Sequence, residues 1–369
     1  MRACPRALPL FASVLLSACG SLPKFGSGEP ARDPAAERAL TLQLLPEKLA
    51  EREAWADDLL DVFGALKLSP DAANLCAVIA VTEQESSFRV DPVVPNLSRI
   101  ALTEIETRAA KLFVPKALVH AALARTSPTG KTYRQRLDAA RTEKQLSEIY
   151  DDFIGDVPLG RRLLADYNPV RTGGPMQVSI AFSESYAADH RYPFGASPNV
   201  RREIFTRRGG LYFGTAHLLD YPADYDAMLY RFADFNAGHY ASRNAAFQSA
   251  VALTSGVKLS FDGDLLLEGG KTGAAGETEK ASRSLAQRLR LDGEQIRRDL
   301  ERGERADFSE TPTWRRVFEL AEKQAGRALP RAITPQIRLQ SPKITRQLTT
   351  DWFARRVDDR HGRCLQRAR

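Results

Sequence analysis

Three short runs in this 369-residue chain bring together residue types that can do chemistry. The first is Gln84-Glu85-Ser86, at the end of the apolar stretch Ala77 to Thr82. A carboxylate there has hydrophobic neighbours that desolvate it, and the negative end of a helix dipole also opposes its ionisation. Both effects raise its pKa, which suits a general acid working near neutral pH. The second run, Gly173-Gly174-Pro175-Met176-Gln177-Val178, is a glycine turn leading into a helix start. The third, Ala233-Asp234-Phe235-Asn236-Ala237-Gly238, is an amide-bearing turn closing a helix. Read singly, each has a structural account: a surface carboxylate, a core methionine and a helix C-cap. Glu83 reads as a solvated neighbour on another helix face. Asp91 and Asp234 are candidates for a second carboxylate, although turn and capping roles explain them equally well.

Mostly helical elements must position these runs. Ala39 to Leu66 has helical composition, interrupted at Pro46. Ser69-Pro70-Asp71 reads as a cap, a first-position proline and a first-turn acid opening the helix that ends at Glu85. Thr103 and Glu106 form a candidate capping box, with Pro115 dividing the stretch that follows. Further helices are expected at 143–154, 177–189, 199–220, 222–235 and 240–254. Val257 to Phe261 alternates like a short strand, and Gly263 to Glu277 reads as a linker. Helices are expected again at 278–303 and from Thr311-Pro312 to Gly326.

Charge is unevenly placed. The formal net charge is +7, but residues 281–369 carry 21 Lys and Arg against 12 Asp and Glu, whereas residues 19–280 carry 30 against 34. The basic quarter interleaves arginine with acid, as on a solvated helix face, and has no aromatic-basic nucleic-acid motif. Nucleic acid is therefore not expected as a partner. Asp351-Trp352-Phe353-Ala354-Arg355-Arg356 points residues 340–369 toward anionic lipid or the core.

The N-terminus reads as an export signal. Met1 to Arg6 is basic, and Ala7 to Ala18 is an apolar run of 12 residues, shorter than the roughly 20 needed to span a membrane. It ends in Leu16-Ser17-Ala18-Cys19-Gly20, which looks like a bacterial lipoprotein processing box with Cys19 as the acylated residue. Gly20 after the cysteine leaves the outer membrane as the destination, facing the periplasm or the cell surface, anchored and not spanning. Of the remaining cysteines, Cys76 and Cys364 can pair and tie the tail to the core. The apolar run Leu75 to Ile79 also accommodates Cys76 as a small buried residue, and that reading is preferred. The scattered histidines and the absence of CxxC spacing give no metal site, and no cofactor is expected.

In this order, the three runs resemble the active-site motifs of the lysozyme-like lytic transglycosylases: an E-S pair, then G-L-M-Q, then A-Y-N-A-G. The whole chain also resembles the YaiW-type family of bacterial lipoproteins. The first resemblance implies cleavage of the MurNAc–GlcNAc β-1,4 bond of peptidoglycan strands, with Glu85 as acid and then base toward the sugar's own 6-hydroxyl. It implies that Ser86, Met176, Gln177, Phe235 and Asn236 line the substrate cleft. Pro175 stands where that family has Leu, and Phe235 where it has Tyr. Glu85 and Gly173 are separated by 87 residues, so residues 95–170 are expected as a helical insertion. The expected organisation is a signal peptide at 1–18, a tether at 19–38, and a lysozyme-like domain at 39–255. A Gly-rich linker and basic helical extension follow at 256–369. The competing expectation is a non-catalytic envelope lipoprotein whose degenerate cleft binds glycan or an envelope protein partner.

Overall fold

The computed structural model describes residues 33–157, 159–164, 167–195, 199–267, 274–339 and 347–369. The signal segment, Cys19 and the tether as far as residue 32 lie outside them. The described chain is mostly helical, as expected from its composition.

Helix α1 (Pro34–Leu44) starts inside the stretch read as tether, because Asp33 accepts hydrogen bonds from the amides of Ala35 and Ala36 and Pro34 fits the first turn. After the break near Pro46 come α2 (Arg52–Leu66) and α3 (Ala72–Ser86). Asp71, not Ser69, caps α3, accepting from Asn74 N at 2.9 Å. The insertion supplies α4 (Leu97–Lys111), α5 (Lys116–Leu123), α6 (Tyr133–Ala139), α7 (Glu143–Gly155) and α8 (Gly160–Leu164). The capping box expected at Thr103 does not form. Thr103 lies inside α4 and donates to Arg99 O, while Glu106 pairs with Lys116 and His120. The boxes that do form are Thr132 with Gln135 and Thr142 with Gln145.

A two-residue hairpin follows, β1 (Thr172–Gly173) antiparallel to β2 (Val178–Ser179). Ser179 then caps α9 (Ile180–Asp189), so this helix begins three residues later than expected. The helix expected over 199–220 is two, α10 (Val200–Ile204) and α11 (Arg207–Leu219), because Thr206 caps the second through Gly209 N at 3.0 Å. Next are α12 (Met228–Ala237) and α13 (Ala241–Ser255). The strand expected at Val257 to Phe261 is irregular. Beyond it lie α14 (Glu277–Ser284), α15 (Ala286–Leu289), α16 (Gly293–Leu300), a 3-10 turn (Ala306–Glu310) and α17 (Pro312–Ala325). As the sequence indicates, Thr311 caps α17 and Gly326 closes it. A second hairpin, β3 (Arg338–Leu339) with β4 (Leu348–Thr349), leads into α18 (Thr350–Gln366).

Two hydrophobic cores organise these elements. One is built on α2, α3, α11, α12 and α18, with Phe63, Ile79, Phe213, Phe232 and Val357 buried in it. The other joins α13 to α14, α16 and α17 around Phe247, Ile296, Phe308 and Val317. The stretch expected as one basic extension therefore divides. Its first part shares a core with α13, while α18 returns to the first core and packs against both α3 and α12. Phe353, Ala354, Val357 and Cys364 form its buried stripe, and Arg355 and Arg363 lie outward. Of the two surfaces proposed for residues 340–369, the described part takes the core. Cys76 and Cys364 form a disulfide, which overturns the preferred reading of Cys76 as an unpaired buried thiol. The pairing arises because α18 is itself a core helix, which its many arginines conceal in the sequence.

Candidate active site

Glu85 lies in the last turn of α3, whose preceding residues Leu75 to Thr82 are all buried. The chain turns sharply after it, with Ser87 and Phe88 both in the left-handed region, and Phe88 meets the Trp55 ring edge-on at 5.3 Å. The Glu85 side chain is partly buried, and among the described residues it has no hydrogen bond or ion pair. With burial unopposed, its carboxyl is pushed up from the usual 4.5 to about 8, so at neutral pH it holds its proton. The adjacent Gln84 Oε1 is also buried without a partner. Glu83, expected in solvent, faces Arg360 of α18 at 3.4 Å. Ser86 is buried, its hydroxyl donating back to Thr82 O at 3.1 Å.

The second motif forms the tip of the β1–β2 hairpin. Gly174 has φ +73, and a Cβ there would meet Ile204 O at 2.1 Å, so backbone approach and conformation both require glycine. Met176 is fully buried, against Gly214 of α11, where a Cβ would strike its Sδ at 2.4 Å. Its thioether locks the hairpin onto α11 and presents no surface to a ligand, unlike the lining role implied by resemblance. Gln177 is partly exposed, but its amide turns inward. Its Nε2 donates to Gly174 O at 3.1 Å, and its Oε1 accepts from Thr172 Oγ1 at 3.3 Å.

The third motif closes α12. Asp234 is completely buried and accepts from Tyr225 OH (2.6 Å), Tyr221 OH (3.1 Å), Tyr240 N (3.0 Å) and Ser242 N (2.7 Å). Burial raises its pKa, against the lowering effect of these donors. A carboxylate so enclosed has no face left for substrate; it ties the end of α12 to the start of α13. Phe235 is buried, while Asn236 is exposed and its Oδ1 accepts from Thr350 Oγ1 of α18 at 2.8 Å.

The motifs meet through two helices. α11 touches the hairpin at Met176 and α12 at Phe235, whose carbonyl accepts from His217 Nε2 at 3.3 Å. α18 touches α3 and reaches Asn236. Among the described residues, neither Asn236 nor Gln177 hydrogen-bonds to Glu85. The sequence reading missed a stack beside the third motif. His239 lies 4.0 Å from Tyr221 and 4.6 Å from His217, and Phe182 lies 4.4 Å from His217 and 5.5 Å from His239. Since Nε2 donates, Nδ1 of His217 is a bare acceptor, and it is buried without a partner. Burial, with His239 beside it, lowers its pKa to about 3. The only sequence signal for this stack was the density of aromatic residues between Tyr212 and Tyr240. No group of three or more metal-ligating side chains occurs among the described residues, and no described helix is long and apolar enough to cross a membrane.

Chemically, the site offers one carboxylic acid that is protonated at neutral pH, partly exposed and, among the described residues, without a hydrogen-bond donor. A model of the family described as "Protein of unknown function (DUF1615)" matches residues 48–367. The chain is 52% identical over 361 residues to the Escherichia coli (strain K12) protein called "Uncharacterized protein YaiW", covering 97% of each chain. No solved structure matches.

Proposed function

The chain belongs to the DUF1615 family, and from that premise we propose that it is a membrane-anchored lytic transglycosylase acting on MurNAc–GlcNAc β-1,4 bonds of peptidoglycan. The observation that carries the reading is the Glu85 carboxyl, pushed up to about 8 by burial, with no hydrogen bond or ion pair among the described residues to stabilise its ionised form. A protonated carboxyl can give its proton to the glycosidic oxygen as the bond to C1 breaks. The resulting carboxylate then takes the proton of the muramic acid 6-hydroxyl, whose oxygen attacks C1 and closes a 1,6-anhydro ring. Because the nucleophile belongs to the substrate, the second carboxylate of ordinary glycosidases is not needed. The enclosed Asp234 is consistent with this economy. Acylation at Cys19 would hold the protein on the outer membrane, within reach of glycan strands.

A second reading has its own support. Side chains that would touch glycan are engaged internally: Met176 in the core, Gln177 on its hairpin and, through its Oδ1 alone, the exposed Asn236 on Thr350. This favours a non-catalytic envelope lipoprotein whose cleft binds glycan or a protein. Incubating the purified full chain with peptidoglycan sacculi separates the two. Release of 1,6-anhydro-muropeptides, abolished by Glu85→Gln, is the expected result. Binding without release, indifferent to Glu85→Gln, would instead establish the second reading.

A further inference from the structure

The helical insertion encloses a cavity of about 340 Å³ that has no part in the Glu85 site. Its wall is built by α4, α5, α6 and α7, through residues such as Ile105, Ala109, Ala122, Leu146 and Phe153. The volume falls within the roughly 300–1,000 Å³ of small-molecule sites. A space lined this way is poorly stabilised by water, which finds few polar partners there, but it accepts an apolar molecule.

The mouth is as unusual as the wall. Leu112 and Leu118, which line the cavity, are 54% and 60% exposed. Between them, at the α4–α5 corner, Phe113 is 95% exposed and held at φ +58, a conformation that phenylalanine rarely adopts. An open apolar rim around an apolar hole marks a ligand entrance more than a packing defect. Charge then narrows the class of ligand. Among the described residues Arg108 is the one charged side chain in the wall, its Nη1 donating to Tyr167 O at 3.2 Å and its Nε pairing with Glu104. Lys111 and Lys116 flank the exposed corner in the chain.

We propose that this cavity binds the acyl chain of an anionic amphiphile, with the tail between α4, α5 and α7 and the acidic headgroup at Arg108. A free fatty acid and a single-chain phospholipid share this chemistry, and the test distinguishes them.

The probe is cis-parinaric acid, bound to the full chain carrying Cys19→Ser so that no acyl group of its own competes. Hexadecanoate, 1-palmitoyl-lysophosphatidylglycerol or both are expected to displace it, the effective one identifying the source, with affinity rising from octanoate to hexadecanoate. Arg108→Gln is expected to weaken hexadecanoate about tenfold while leaving dodecanol unchanged. Ala122→Phe and Ala109→Phe, each filling the cavity from a different helix, are expected to abolish binding with unaltered far-UV circular dichroism. Several results would overturn the proposal. These are no displacement by either amphiphile, affinity independent of chain length, displacement that survives both filling variants, or equal weakening of acid and alcohol by Arg108→Gln.

Discussion

Glu85→Gln should make this protein more stable at neutral and alkaline pH, whatever it does to activity. The unfolded carboxyl ionises near 4.5 and the folded one near 8. Between those values the unfolded chain binds fewer protons than the folded one, so stability falls as pH rises through the window. Each pKa unit is worth about 1.4 kcal/mol, so the unscreened cost at pH 7 is about 3.4 kcal/mol. The side chain is partly open to solvent, which screens a share of this and leaves ~2 kcal/mol. Glutamine copies the shape and polarity of the protonated acid without the ionisation. The variant should melt roughly 2–4 °C higher than wild type at pH 7, with the gap widening at pH 8.5 and nearly closing at pH 5. Calorimetry under non-reducing conditions across this range is the assay. Equal melting temperatures at pH 5 and 8.5, or a less stable variant at pH 8.5, would refute the claim that an uncompensated buried acid sits at the end of α3.

Three other outcomes are expected. Cys364→Ser removes a disulfide whose partners are 288 residues apart, and guanidinium unfolding should show a loss of about 3–5 kcal/mol; an unchanged midpoint would contradict the docking of α18. Asp234→Ala strands two tyrosine hydroxyls and two backbone amides, at about 3 kcal/mol or more by the same measurement, whereas Asp234→Asn keeps part of the acceptor set and should cost less. His217 has its pKa lowered to about 3, so its contribution is intact above the usual 6.5 and is lost as pH falls below it. Wild type should lose about 2 kcal/mol more than His217→Gln between pH 7 and pH 5, and parallel profiles would show that the ring is already solvated.

Local chemistry made much of the chain legible. Pro46 and Pro115 divide helices where backbone sterics require, Thr311-Pro312 and Gly326 bound α17, and the apolar run before Glu85 announced both a buried helix and a perturbed acid. Errors arose where several signals competed locally. Thr103 with Glu106 has the spacing of a capping box, but lies inside a helix whose start is set further upstream. Ser69 yielded to Asp71, whose carboxylate is the acceptor that reaches Asn74 N.

What the sequence determined by itself was the helical class, the position of Glu85 at the end of an apolar helix, and the glycines without which the Gly174 turn cannot form. Only tertiary structure decided which side chains remain available for chemistry. Met176 disappeared into a contact with Gly214 and Asp234 into four hydrogen bonds, while the exposed Asn236 gave its Oδ1 to Thr350, a residue 114 positions away. It also decided that the arginine-rich last helix is a core element, held to α3 by Cys76–Cys364. The physical reason is that burial and hydrogen-bond satisfaction depend on partners distant in the chain, whereas caps, turns and helical periodicity depend on neighbours within a few residues.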